Sequence, residues 1–347
     1  MATKNVYDKI IYVASHNIMD GLYLNKLLQH YHALKDKAKG LPIFLCIQEN
    51  VIYDANRVME STTDTTTFNN KNNNCKLHSS AAVISNELST SLSTKYENIT
   101  SSDTRLSTIY DSNTFELIES KTLYLPKLEK LSILNRMAGF EIQDKTSLLT
   151  RFKLRNQGNI NNNNNNNNVN QQVMDNNKKE EKEDDDNLKH NDKMGHSNNN
   201  NNNNDNQYLT IINFHLDAAG DNKHRTMQFQ EMANNLNENE SFVLCGDTNL
   251  FTFFPQTNQY HLLNEMIKPI ASKCGAGIIG DCTEPTHFFS RANEPKFGHQ
   301  VVYQLGKFGF DIPGCYDILI SNMKEETFGQ IDTPFSDHNL VYAKFRL

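Results

Sequence analysis

Short runs of apolar residues, separated by polar turns, make up most of the chain. These runs hold about four to eight residues and are rich in branched or aromatic side chains, which indicates buried strands. The strongest strand predictions are residues 9–14, 43–47, 208–214, 242–245, 315–320 and 339–345. Shorter or more polar runs predict further strands at 81–84, 105–110, 114–118, 137–143 and 147–154.

Apolar residues spaced three and four apart predict helices in two places. Leucine and tyrosine side chains recur in this way over Asp20–Lys37, and Gly40 and Pro42 then stop the helix. A second helix is predicted over Lys223–Asn237. The turn-like residues 111–113 predict a hairpin between two of the weaker strands.

Two stretches lack the apolar residues that a core needs. Residues 61–76 are polar and of low complexity, and residues 156–207 are rich in Asn around a charged block. Such a composition buries too little surface to offset its chain entropy, so we predict a polar loop and a disordered insertion. The runs on either side of 156–207 look like hairpin partners. This favours an insertion between neighbouring strands over the alternative of an interdomain linker.

The rest of the chain, about 280 residues, is long enough to bury a substantial core. We therefore predict a single domain over residues 1–347. Strands and helices mix without strict βαβ repeats, which predicts an α/β fold of mostly antiparallel sheets covered by helices. Residues 255–310 are loose and polar, and no element is predicted there.

Charge and cysteine content narrow the function. The net charge of −7 argues against a protein that coats long nucleic acid by charge alone, although it leaves room for a local basic groove. No apolar run approaches membrane-span length, and residues 1–5 do not resemble a secretory signal. The six cysteines form no CxxC pair, so we expect reduced thiols, no structural zinc, and a location in the nucleus or the cytoplasm.

Acids, amides and imidazoles follow the predicted strands, which is where α/β sheets tend to place ligands. Each has an ordinary explanation on its own: Asn17 could cap a helix, and 246–249 could be a plain turn. Asp317 is harder to dismiss because it lies inside a predicted apolar strand, where an acid needs a partner. His338 is a candidate partner. The residues at or beyond strand ends are Asn17, Glu49, His215, Asp247, Asn249, Asp337 and His338.

Together these side chains suit phosphate chemistry at a hard cation. The oxygens of Glu49, Asn17 and Asp337 suit Mg²⁺. Asn249 and histidine side chains can donate to phosphate oxygens, and an Asp can fix the tautomer of a His. The chain contains no GxSxG and no P-loop, which disfavours acyl hydrolysis and nucleotide switching.

The motifs resemble those of the endonuclease/exonuclease/phosphatase superfamily and occur in the same order. They are Ser15–Leu22, Ile47–Glu49, Phe214–Asp217, Gly246–Asn249, Tyr316–Asp317 and Ser336–His338. The resemblance implies a four-layer α/β sandwich and a divalent-cation phosphoesterase. Residues 17–22 with 246–250 look like the tyrosyl-DNA phosphodiesterase branch, which clears 5′-adducts in DNA repair. Residues 215–228 are similar to the deadenylase and angel-like branch.

The resemblance also implies a role for each residue. Glu49 binds Mg²⁺ (or Mn²⁺) with Asn17 beside it, and Asp337 closes the metal site. Asp247 orients or activates the attacking water, while Asn249 and His215 hold phosphate oxygens. His338 stabilises the developing charge and is oriented by Asp317, and Arg225 and Lys223 bind substrate.

These expectations favour a monomeric phosphodiesterase that acts on a nucleic-acid end, with basic residues such as Lys296 and Lys307 supporting that substrate. A lipid or inositol phosphate substrate is the first alternative. A non-catalytic scaffold whose Asn-rich insertion binds partners is the second. The sequence leaves open DNA versus RNA and the leaving group.

Overall fold

The computed structural model describes residues 9–18, 24–50, 52–54, 77–92, 94–137, 141–155, 207–250, 259–280, 286–287 and 317–347. Within these ranges, the residues up to 155 and from 207 onward form one compact unit. The predicted loop 61–76, nearly all of the predicted insertion 156–207, and Lys296 and Lys307 lie outside the described residues.

Two six-stranded sheets form the centre of the molecule. The first has the order β13 (Lys324–Ile331), β14 (Leu340–Arg346), β1 (Ile10–Asn17), β2 (Ile43–Gln48), β6 (Leu106–Asp111) and β5 (Tyr96–Thr100). The second has the order β11 (Gly277–Ile279), β12 (Asp317–Ser321), β10 (Ser241–Asp247), β9 (Tyr208–His215), β8 (Thr146–Leu154) and β7 (Phe115–Tyr124). The β1–β2 and β9–β10 pairs are parallel and the other pairs in these sheets are antiparallel, as predicted.

Helices cover the outer face of each sheet. Helices α1 (Leu24–Ala38) and α2 (Ser80–Leu92) pack on the first sheet, where Leu27 and Ile84 share a buried cluster with Leu45. Helices α4 (Asn222–Asn234), α5 (Gln259–Met266) and α6 (Lys268–Cys274) pack on the second, where Phe229 and Leu244 share another. The helix α3 (Ile133–Met137) and the pair β3 (Ile52–Asp54) and β4 (Leu77–Ser79) are short additions.

A third cluster lies between the sheets and makes the molecule a four-layer sandwich. Val13 and Phe44 from the first sheet pack there with Phe152 and Val243 from the second. Successive residues of a strand point to opposite faces, so Ile11 and Val13 enter this cluster while Tyr12 and Ala14 face the helices. Strands buried on both faces explain why the sequence shows continuous apolar runs rather than alternation. The predicted fold class is confirmed.

Several predicted elements were wrong. Residues 81–84 belong to α2, because Ala81, Ile84 and Leu88 recur at helical spacing and all are buried. The turn 111–113 joins no hairpin, since β6 and β7 lie in different sheets. Residues 137–143 contain no described strand, because Met137 ends α3 and 141–143 are irregular.

Other elements were not predicted because they are polar or short. Strands β5 and β13 are mostly half-buried, and β11 has three residues. Helices α5 and α6 fall within the loose region 255–310. By contrast, the pairing of the strands that flank 156–207 is confirmed, since β8 and β9 are antiparallel neighbours from Ser147 opposite Phe214 to Lys153 opposite Tyr208. Among the described helices, none has the length and apolar character that a membrane crossing requires.

Candidate active site

The topology brings the polar residues at the strand ends to one place. In the first sheet, Asn17 ends β1 and Glu49 follows its parallel neighbour β2. In the second sheet, His215 ends β9 and lies opposite Asp247, which ends the parallel strand β10. Parallel neighbours end at the same edge of a sheet, so each sheet presents two polar side chains at one edge. Asp317 is the first described residue of β12, and it lies opposite Asp247 in the register.

Asn17 joins the two sheets at this edge. Its Nδ2 donates to Glu49 Oε1 at 3.2 Å and to Asp247 Oδ2 at 3.3 Å. The hydroxyl of Ser336 donates to the backbone oxygen of Asn17 at 2.8 Å, which fixes the end of β1. Glu49 and Asp247, from different sheets, therefore lie on either side of one amide.

Asp317 and His338 form a buried pair. His338 Nδ1 lies 2.8 Å from Asp317 Oδ2, and its Nε2 lies 3.7 Å from Asp247 Oδ2. Thr286, which the sequence analysis missed, donates its hydroxyl to Asp317 Oδ2 and accepts from the Asp317 backbone N–H, both at 2.7 Å. Burial opposes charge on His338, but Asp317, Asp247 and Asp337 outweigh it and raise its pKa well above the usual value. The Asp therefore holds the ring in one orientation and favours its charged form.

His215 differs from His338 in its charge. Its Nε2 lies 3.5 Å from Asp247 Oδ2 and 3.9 Å from Glu49 Oε1. Burial lowers its pKa well below the usual value, and the charges of Lys145, His338 and Arg105 lower it further. These opposite shifts favour a neutral His215 and a charged His338, so the site holds two imidazoles of different character.

The position of Asp247 depends on a close approach between the backbones of β9 and β10. The strand β10 reaches it through Gly246, where a Cβ atom would lie 1.9 Å from the backbone oxygen of Phe214. Burial raises the pKa of Asp247 and Asp317 raises it further, while His338 and a hydrogen bond from the Asn249 backbone N–H oppose the shift. That hydrogen bond is 2.7 Å long.

Two site residues have a backbone conformation that is uncommon outside glycine. Glu49 has φ of 56° and Asn249 has φ of 49°. Asn adopts this left-handed region more readily than Glu, which pays a cost for it. The Asn249 side chain also donates to the Leu216 backbone oxygen at 2.8 Å, so the turn after β10 is tied to the end of β9. Strained residues of this kind concentrate at functional sites.

The donor set fits a hard divalent cation. Carboxylates from Glu49, Asp247 and Asp317 converge on one edge, and the ligand atoms of Asp247, Asp317 and His338 lie within 4.8 Å of one another. One oxygen of Asp317 is buried without a hydrogen-bond partner in the described part of the chain. Several buried carboxylates repel one another unless a cation compensates them, and oxygen ligands are those that Mg²⁺ prefers.

Asp337 lies beside a second histidine that the sequence analysis missed. His287 Nε2 lies 3.3 Å from Asp337 Oδ2, and the rings of His287 and His338 have centroids 4.5 Å apart. Burial opposes ionisation of Asp337, but the hydrogen bond from His287 and the charges of both histidines lower its pKa to about 2. Its role as a metal ligand stays a prediction, since the observed contact is with His287.

The two predicted substrate-binding residues differ in exposure. Lys223 is exposed at the start of α4. Arg225 is buried, and its guanidinium donates to the backbone oxygens of Asn249 at 2.7 Å and Ala218 at 3.3 Å. Arg225 therefore braces the turn that carries Asn249.

A cavity of about 250 Å³ borders the site, and two cations that the sequence analysis did not single out line it. Arg105 precedes β6 and Lys145 precedes β8, and His215 contributes to the same wall. No motif marks these positions, since a lone Arg or Lys between strands is common. Thr286 and His287 likewise lie in the part of the chain where no element was predicted.

Solved structures similar to this chain include endonuclease/exonuclease/phosphatase proteins. The catalytic domain of human Nocturnin with bound sulfate has a TM-score of 0.48 at 12% identity, covering 97% of this chain and 94% of its own. TDP2 of D. rerio, complexed with a single-strand DNA product, has a TM-score of 0.48 at 10% identity, covering 98% and 100%.

An endonuclease/exonuclease/phosphatase from Bacteroides vulgatus also has a TM-score of 0.48, at 12% identity, covering 97% of this chain and 99% of its own. No protein-family model matches the chain, and no curated protein matches it in sequence. Similarity at this level carries no substrate with it.

Proposed function

We propose that this protein is a metal-dependent phosphodiesterase that hydrolyses a phosphodiester bond at a nucleic-acid end. The observation that carries the proposal is the chain of contacts from Glu49 through Asn17 and Asp247 to His338 and Asp317. These side chains come from five separate segments, and a carboxylate-rich edge beside a charged imidazole has little structural benefit of its own.

Mg²⁺ is the proposed cofactor, held by Glu49 with Asn17 and Asp337 beside it, and Mn²⁺ is the expected substitute. When bound, the cation polarises a phosphoryl oxygen and neutralises part of its charge. Without the cation, this edge of the sheets carries an excess of negative charge from its carboxylates. The donor set of oxygens around Glu49 and Asp247 matches that of a Mg²⁺ site.

The residues of the chain would then share the work of an in-line displacement. Asp247 accepts a hydrogen bond from the attacking water and takes its proton as the oxygen joins phosphorus, while the bond to the leaving oxygen breaks. A buried carboxylate with a raised pKa suits this task. His338 donates its Nε2–H to the non-bridging oxygens as their charge develops, and Asp317 holds the ring in place.

His215 and Asn249 complete the proposed phosphate site. His215 is neutral and adjacent to Asp247, so it can donate one N–H without adding charge. Asn249 is held by Leu216 and Arg225, so its position relative to Asp247 is fixed. Lys223, exposed at the start of α4, is the proposed contact to the substrate strand.

A substrate panel tests the proposal. Purified protein is incubated with a 5′-tyrosyl DNA oligonucleotide, a short RNA, a sphingomyelin vesicle and an inositol polyphosphate, with Mg²⁺ and with EDTA. We expect turnover of an oligonucleotide with Mg²⁺ and none with EDTA. Turnover of the lipid or inositol substrate alone would show that the substrate is of that class and not a nucleic acid. Absence of turnover with every substrate in the panel would overturn the proposal.

A further inference from the structure

The cavity beside His215 has an unusual balance of charge. Arg105 and Lys145 line it, and no described carboxylate forms an ion pair with either side chain. Surface cations are usually solvated, but Lys145 is only partly exposed, and burial lowers its pKa. A partly buried cation without a carboxylate in direct contact is a site where an anion would bind favourably.

The two acids on the same wall are already engaged by other groups. The carboxylate of Asp103 accepts hydrogen bonds from the hydroxyls of Ser101 and Thr146, and from the backbone N–H of Arg105 at 3.2 Å. Asp144 pairs with Lys127 at 2.8 Å. The two acids therefore do not occupy the donors of the Arg105 and Lys145 side chains.

Charges in the cavity and charges in the proposed active site act on each other. The positive charges of Lys145 and Arg105 contribute to the low pKa of His215, while the charges of Glu49 and Asp247 favour the charged form of Lys145. His215 itself lines the cavity. An anion bound here would therefore be the immediate neighbour of one bound at His215.

An exposed aromatic ring lies next to a residue that lines the cavity. Tyr124, the last residue of β7, is 71% exposed, although large aromatic side chains are usually buried. It lies opposite Thr146 in the register, and its hydroxyl is 3.5 Å from Ser102 Oγ. Thr146 lines the cavity, and Ser102 precedes the cavity residue Asp103.

We propose that Arg105, Lys145 and Tyr124 form a nucleotide subsite next to the scissile phosphate. The two cations bind the adjacent phosphate of a single strand, and the Tyr124 ring stacks on its base. A cationic groove beside an exposed aromatic ring is the combination that binds single strands without sequence preference. The inference rests on the proposed function and names its substrate as a single strand of at least two nucleotides.

Binding tests the subsite without turnover. The affinity of a fluorescent single-stranded hexanucleotide is measured in EDTA over a series of salt concentrations. Arg105→Ala with Lys145→Ala should flatten the slope of log affinity against log salt by about 0.7, because the two cations neutralise one phosphate and each neutralised phosphate of a single strand contributes about 0.7. Lys121→Ala with Lys268→Ala, which also removes two exposed charges, is the matched control and should leave the slope unchanged.

Stacking is tested separately at Tyr124. Tyr124→Ala should weaken hexanucleotide binding by at least about fivefold, whereas Tyr124→Phe keeps the ring and should bind like the wild type. Lys145→Arg should likewise keep the salt slope. A wild-type slope in the double cation variant, or equal affinities for all three Tyr124 forms, would overturn the subsite.

Turnover separates this inference from the proposed function. The double cation variant should raise KM for the oligonucleotide by a larger factor than KM for bis(4-nitrophenyl) phosphate, a diester too small to reach the subsite. If the wild type hydrolyses neither substrate, the proposed function fails, while the binding series still decides whether the subsite exists. If the variant keeps the wild-type KM for the oligonucleotide, the subsite fails and the proposed function stands.

Discussion

At the scale of single residues, the Asp317–His338 pair is the most specific feature of the site. Both side chains are buried, and the 2.8 Å contact leaves the Nε2 of His338 facing Asp247. A carboxylate buried in this way costs free energy unless it is paired. The pairing is therefore both a structural requirement for Asp317 and a means of orienting the ring.

Asp317→Asn tests the orienting role. The amide keeps the shape but loses the charge that stabilises the imidazolium, so kcat should fall by about 10² or more. His338→Ala should give a similar loss, and the double variant should lose little more, because the two residues act as a unit. Asp36→Asn, at an exposed position on α1, is the control, and steady-state kinetics on the oligonucleotide is the measurement. Wild-type kcat in Asp317→Asn would contradict the assignment.

Glu49 gives a prediction that needs no turnover. If Glu49 binds Mg²⁺, the ion stabilises the folded protein by about 2.7 kcal/mol at a hundred times its Kd, and the melting temperature rises with Mg²⁺. Glu49→Gln should abolish that rise, measured by calorimetry or thermal shift. Glu265→Gln, at an exposed position on α5, should keep it. An equal rise in Glu49→Gln would place the cation elsewhere.

At the scale of elements, the parallel pair β9–β10 determines how the site is assembled. The two strands end together, with Asp247 opposite His215 in the register. Gly246 permits this because its Cα approaches the Phe214 backbone oxygen too closely for a side chain. The local sequence of β10 is therefore constrained by the neighbouring strand and not only by its own burial.

Gly246→Ala should lower the free energy of unfolding by about 3 kcal/mol, since a Cβ 1.9 Å from a backbone oxygen forces the strands apart. Gly277→Ala, in β11, is the matched control, because an added Cβ there meets nothing within 4 Å. Urea unfolding of both variants provides the measurement. Equal stabilities would show that the β9–β10 contact relaxes at no cost.

Elements were predicted correctly where a continuous apolar run forms a buried strand. Prediction failed where contacts with other elements decide the structure of a segment. The run in β10 is buried along nearly its whole length, and its strand was predicted. Residues 81–84 show no local difference from a strand, and only the buried spacing of Ala81, Ile84 and Leu88 against the first sheet makes them helical. The turn 111–113 is a real turn, but the chain leaves it in a different sheet.

At the scale of the whole molecule, the β8–β9 connection over residues 156–206 is the longest between two described neighbouring strands. The backbone N–H of Leu154 donates to the oxygen of Gln207 at 3.1 Å, so the two ends of the connection are adjacent. A short turn can therefore bridge the same gap. A chain with this connection shortened can therefore test the proposed catalytic role against the scaffold alternative.

Replacing residues 156–206 with a four-residue Asn-Gly turn should leave catalytic activity unchanged. It should raise the free energy of unfolding by up to about 2 kcal/mol, because loop closure costs about 0.6 kcal/mol for each doubling of length. Calorimetry and oligonucleotide kinetics on the shortened chain are the measurements. Loss of activity with intact folding would assign the insertion a role in the reaction.

The sequence by itself determined which long apolar runs are buried and which polar residues follow them, because apolar periodicity depends on local spacing alone. It also fixed the order of the motifs that carry Asn17, Glu49, His215 and Asp247. Only the tertiary structure decided which strands are neighbours, and so which polar groups share an edge. It placed Arg105 and Lys145 beside His215, and His287 beside Asp337, because contacts between residues far apart in the chain depend on the pairing of whole strands.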